Sequence, residues 1–78
     1  MDDIQEILTT EDGRKYRLYV YESGYVPRGF VAWCVDKYEP EVGTWRTLKQ
    51  SQKGYTLDDA FVAGRSWMEA QANKEAQL

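Results

Sequence analysis

No histidine occurs anywhere in the 78 residues, and only one cysteine. The first absence removes the commonest general base, the Ser-His and Cys-His nucleophile pairs and most zinc sites in one step. The second leaves no internal disulfide and no thiolate metal cage. Cys34 lies in the apolar run Phe30 to Val35, where a thiol behaves as a small hydrophobe with no histidine to activate it. A reducing compartment, the cytoplasm, is the expected setting.

Long hydrophobic runs are missing too, and none approaches the ~18 consecutive apolar residues of a membrane-spanning helix. The chain starts Met1-Asp2-Asp3-Ile4-Gln5-Glu6, acidic where a secretory signal peptide is basic, so neither export by that route nor membrane insertion is expected. Gly24 and Gly29 flank Pro27 without the spacing of a phosphate-binding loop or a dinucleotide fingerprint. With 13 acidic and 10 basic side chains the formal charge is -3, which gives no chain-wide positive field for nucleic acid. Carboxylates do pair at Asp2-Asp3, Glu11-Asp12, Glu39 with Glu41, and Asp58-Asp59. A flexible end, a turn, a solvated loop and helix capping account for them better than cation binding or acid–base work. No catalytic residue, metal site or cofactor is expected, and the chain reads as not an enzyme.

What remains is enough for one core. A chain of 78 residues has room for a single domain, 1–78, and 42% hydrophobic with 14% aromatic residues can order it without a staple. Residues 14–50 read as a β-meander. From Arg14 to Glu22, Tyr16, Leu18 and Val20 alternate with Arg17, Tyr19 and Tyr21. Ser23 to Gly29 is a long hairpin connection, and Phe30 to Lys37 a strand apolar on both faces, hence central. Pro40 and Gly43 then return the chain for a third strand, Thr44 to Gln50, in which Trp45, Thr47 and Lys49 alternate with Arg46 and Leu48. In residues 1–12, Ile4, Ile7 and Leu8 fit a strand or a helical turn, so the segment is either a fourth, edge strand or a flexible end.

Thr56 followed three residues on by Asp59 marks a helix N-terminus, and Asp58 and Asp59 suit its positive end. Leu57, Ala60, Phe61, Gly64, Trp67 and Met68 recur at spacings of three and four, predicting a helix over 56–72 with one stripe on the sheet. Gly64 inside that stripe implies close approach to a strand or a large ring. Residues 73–78 are predicted to fray. The fold class is α+β: a three- or four-stranded antiparallel β-meander packed by one C-terminal amphipathic helix.

One helix covers one face of such a sheet, while Arg17, Tyr19 and Tyr21 project from the other. Together with Trp33, Trp45 and Arg46 on the neighbouring strands, subject to register, they form the candidate interaction surface for a protein partner or a second copy of the chain. The same face could stack unpaired bases while Arg14, Lys15, Arg17, Arg28 and Arg46 hold phosphates, as in sheet-based binders of single-stranded nucleic acid. A third reading has the N-terminal segment and the long loops folded over that face, making its aromatics plain core.

The segment Gly54-Tyr55-Thr56-Leu57-Asp58-Asp59-Ala60-Phe61-Val62-Ala63-Gly64-Arg65-Ser66-Trp67-Met68 resembles the strand-to-helix junction of HicB-type antitoxins and related small bacterial sheet-plus-helix proteins. The resemblance covers about a fifth of the chain and implies a helix packed on a meander. It also implies a small bacterial or phage accessory protein that works by binding another protein.

Overall fold

Alternation is strongest in β2, Lys15–Tyr21, where Tyr16, Leu18 and Val20 are fully buried and every residue between them is partly exposed. The computed structural model, which describes residues 4–77, builds the rest around this strand. The flexible end expected at Asp2 and Asp3 and the last residue of the predicted tail lie outside the described residues. Four strands run in chain order, β1 (Ile4–Thr9), β2, β3 (Ala32–Glu39) and β4 (Thr44–Gln50), each antiparallel to the one before. One helix, α1 (Leu57–Ala76), packs across β2 and β3.

The N-terminal segment is therefore a fourth strand in the plane of the sheet, at its edge. Its hairpin to β2 turns at Glu11-Asp12-Gly13, where Thr10 N donates to Arg14 O at 2.9 Å and Gly13 N to Thr10 O at 3.0 Å. Gly13 has φ +87°, which a side chain would oppose.

The central strand begins later than its apolar run. Val31 pairs outside the sheet proper, exchanging bonds of 2.8 and 2.9 Å with Tyr55, and Phe30 is 42% exposed with its N–H on Pro27 O. Between β3 and β4 the register shifts at Val35/Asp36, because β4 carries one additional residue, Leu48.

The helix starts as its cap predicts, Asp59 N donating to the Thr56 hydroxyl at 3.2 Å. Its buried stripe is Ala60, Gly64, Met68 and Ala72; Phe61 and Trp67 flank it half-buried, and Leu57 is exposed. Most of the bulk in this core comes from the sheet: Tyr16, Leu18, Val20, Trp33 and Val35 face a stripe that is small apart from Met68. A Cβ on Gly64 would stand 2.3 Å from Leu18 Cδ1, so the close approach implied by the glycine is made to a strand. Burying each large side chain here stabilises the fold by about 1.5–3 kcal/mol.

The helix runs to Ala76, past the Ala72 at which its apolar pattern fades, because polar contacts hold the last turn. Glu75 accepts from the Tyr16 hydroxyl and from Lys37 Nζ; Arg14 Nη1 donates to Tyr16 Oη at 2.7 Å and to Ala72 O at 3.2 Å. Burial and the Glu75 carboxylate push the Tyr16 hydroxyl up to about 12. Burial alone would raise Glu75, but Lys37 and Tyr16 outweigh it and hold the carboxyl below its ordinary range.

Candidate functional site

Register and alternation assign the face turned away from α1. It comprises Gln5, Ile7 and Thr9 of β1, Lys15, Arg17, Tyr19 and Tyr21 of β2, Ala32, Cys34, Asp36 and Tyr38 of β3, and Trp45, Thr47 and Gln50 of β4. No element among the described residues lies over it. β1 sits beside β2 rather than above it, and the Ser23–Gly29 loop borders the face only at the Tyr21 end, where Tyr21 and Ala32 line a shallow groove with Tyr25 and Val26. Covering by the N-terminal strand, the third reading above, is thus not realised.

At the centre of the face is a carboxylate with almost no access to water. Asp36 is 4% exposed, yet it is ionically paired: Arg17 donates to Oδ2 from Nη2 at 2.7 Å and from Nε at 3.0 Å, and the Thr47 hydroxyl donates to Oδ1 at 2.9 Å. A central strand gives Asp36 no route to solvent, so the opposing strands must supply its donors. The Arg17 guanidinium in turn lies 4.5 Å from the Trp45 ring centroid and 5.7 Å from that of Tyr19. The same cation thus bonds the carboxylate through two N–H groups and lies over both rings, a combination to which the forked guanidinium is better suited than a lysine ammonium.

Ring contacts extend the pattern outward. Tyr19 and Tyr21 stand 5.7 Å apart and tilted, and Trp45 meets Tyr38 edge to face at 5.3 Å. Beneath them Cys34 is buried, and that burial, with the Asp36 charge beside it and Arg17 opposing, pushes the thiol up to about 11. Burial, then Cys34 and Asp36, also raises the Tyr21 hydroxyl above its ordinary range. Both groups stay neutral near pH 7. Among the described residues no group of three or more His, Cys, Asp or Glu side chains is placed to hold a metal ion, and no helix is long and apolar enough to cross a membrane.

Of the six residues singled out from the sequence, the structure brings Arg17, Tyr19, Tyr21 and Trp45 together. Trp33 is on the opposite face, 4% exposed in the core, with Tyr55 edge-on at 6.2 Å. Arg46 pairs with Lys37 in the register and so shares the helix side, where its Nε bonds Glu39 at 2.6 Å. Pattern reading passed over Asp36, Thr47, Tyr38 and Ile7. Asp36 carried a usable signal, since one acid following an apolar central strand requires a cation on the strand beside it, and Arg17 is its register partner.

Comparisons with known proteins return nothing that bears on this face: no family model, no curated protein and no solved structure matches the chain.

Proposed function

We propose that the chain is a non-enzymatic protein-interaction module, a small bacterial or phage accessory protein of the cytoplasm, which docks a partner protein on the sheet face opposite its helix. The observation that carries the reading is the uncovered cluster of Trp45, Tyr38, Tyr19 and Tyr21 around an Arg17 already immobilised by Asp36. Trp, Tyr and Arg are the side chains that contribute most to interface energy, and holding them in place before binding reduces the entropy lost on docking. The resemblance of the strand-to-helix junction to HicB-type antitoxins points to the same kind of role.

Single-stranded nucleic acid, the other candidate for this face, would need cations that are otherwise engaged. Arg17 is bound to Asp36, Arg46 to Glu39 and Arg14 to Asp12. Lys15 and Arg28 are exposed but stand toward opposite ends of β2.

The test is affinity capture with the wild-type chain and with Tyr19→Ser/Tyr21→Ser, each captured protein then being purified and titrated against both chains. A partner whose affinity falls at least tenfold for a still-folded variant supports the face. Unchanged affinity removes the face from consideration, and an unfolded variant makes the two tyrosines core. Binding to a single-stranded oligonucleotide that weakens steeply with salt would replace the protein reading.

A further inference from the structure

The two edges of the sheet are built differently. At one edge β4 is interrupted by the bulge at Leu48 and carries Arg46 and Lys49, the devices by which edge strands resist pairing with other chains. At the other, β1 has six residues in unbroken register with β2, without proline, glycine, lysine or arginine. Its one charge, Glu6, is bound by Arg65 of the helix. Ile7 stands 54% exposed in the middle of this strand, on the uncovered face.

The hydrogen-bonding direction of β1 follows from its hairpin. Thr10 N donates to Arg14 O, so Thr10 turns its backbone groups toward β2. By the alternation of an antiparallel ladder Leu8, Glu6 and Ile4 do the same, and Gln5, Ile7 and Thr9 direct their N–H and C=O groups outward. Among the described residues no strand meets them.

We infer that β1 is a homodimerisation edge, pairing antiparallel with β1 of a second copy about a twofold axis at Ile7. Ile7 then lies opposite Ile7 of the second copy, and Gln5 opposite Thr9 in both directions, giving about six backbone hydrogen bonds. Glu6 falls opposite Leu8. Sliding by two residues one way sets Glu6 against Glu6 of the second copy, which like charge disfavours, and sliding the other way carries Gln5 beyond the end of the partner strand. The strand is thus self-complementary in one register, as an isologous contact must be. Two four-stranded sheets become one of eight, with the two aromatic faces on the same side. The contact is smaller than the ~1,200–2,000 Å² of a stable interface, so the dimer dissociates on dilution through the micromolar range. Each copy carries charge -3, and added salt therefore strengthens the association or leaves it unchanged.

Sedimentation equilibrium across protein concentration tests this, with Ile7→Lys as the disrupting variant. The expected result is a concentration-dependent dimer for the wild type and a monomer with unchanged circular dichroism for Ile7→Lys. Because register is part of the inference, Ile7→Cys, Gln5→Cys and Thr9→Cys are compared under mild oxidation. Ile7→Cys alone is expected to form a disulfide-linked dimer readily, since only that position meets itself. A wild type that stays monomeric at all concentrations, or equal cross-linking of the three variants, overturns the inference. A dimer that survives Ile7→Lys but is lost in Tyr19→Ser/Tyr21→Ser would instead assign self-association to the aromatic face. Loss at the edge with partner binding intact keeps the two surfaces separate.

Discussion

Arg17 and Leu18 are adjacent in the chain and project from opposite sides of β2, yet one is held by charge and the other by packing. On the helix side, Leu18 lies against Gly64, whose missing side chain lets the helix backbone come close. On the other side, strand β3 places an acid beneath Arg17, and the aromatics close over the pair. Packing tolerates exchange among hydrophobic residues of similar volume, whereas the Arg17–Asp36–Thr47 set depends on every member being present. The uncovered face is accordingly the less forgiving of the two despite its exposure.

Removing Arg17 tests that difference most severely. Arg17→Ala leaves the Asp36 carboxylate buried without a counter-charge and is expected to cost about 3–5 kcal/mol, measured by denaturant unfolding. Against a total of ~5–15 kcal/mol for a small domain, that brings the fold close to its limit. The double change Arg17→Met/Asp36→Leu should recover most of the loss. If the single variant is nearly neutral, the pair is not what closes this side.

On the helix side the corresponding disruption is Gly64→Val, which drives a side chain into the fully buried Leu18. We expect a loss of about 1–3 kcal/mol, with partial recovery in Gly64→Val/Leu18→Ala, measured as a double-mutant cycle.

Glu75→Gln addresses the point where the helix end is fixed by polar contacts, and should cost about 1–3 kcal/mol at neutral pH. Its signature is pH dependence. Glu75 is depressed in the folded state, so its contribution is present above the unfolded value near 4.5 and is lost as pH falls through the lower folded value. Tyr16 is raised to about 12, so its contribution is fully present below 10.0 and is lost as pH rises from there to about 12. In stability curves against pH, Glu75→Gln should flatten the acid limb and, by leaving Tyr16 less raised, shorten the alkaline limb as well. Curves that superimpose after a uniform offset would show that Glu75 acts by packing alone.

The smallest effect is expected at Trp33, whose indole Nε1 is buried with no hydrogen-bond partner among the described residues. Trp33→Phe removes the unsatisfied donor together with part of a ring, two opposed contributions of about 1–3 kcal/mol. The net change should be within about 1 kcal/mol by chemical denaturation. A loss above about 3 kcal/mol would mean that ring volume, not the orphaned N–H, dominates that site.

These contrasts were legible in the sequence to different depths. Alternation located β2 because one of its sides faces the helix, and the Pro40 and Gly43 break ahead of β4 marked the start of that strand. Alternation left β1 undecided because Ile4 and Leu8 point to one side and Ile7 to the other. The faces of Trp33 and Trp45 depend on hairpin lengths and on the Leu48 bulge, which breaks the parity of β4 between Thr47 and Lys49. The helix stripe was weighted toward Phe61 and Trp67 by their size, whereas the sheet already supplies most of the bulk and selects Ala60, Gly64 and Ala72. The last helical turn left no apolar trace, since Glu75 holds it through Tyr16 and Lys37.

The order of the strands in the sheet is their order in the chain, and this bears on how quickly the domain assembles. Each strand finds its neighbour by closing a local hairpin, at little cost in loop entropy. The return of α1 across β2 and β3, together with the Val31–Tyr55 bridge just ahead of it, is the long-range event. Substitutions in the hairpins should therefore act mainly on the folding rate, while those beneath the helix, Gly64 foremost, should act mainly on the rate at which the finished domain unfolds.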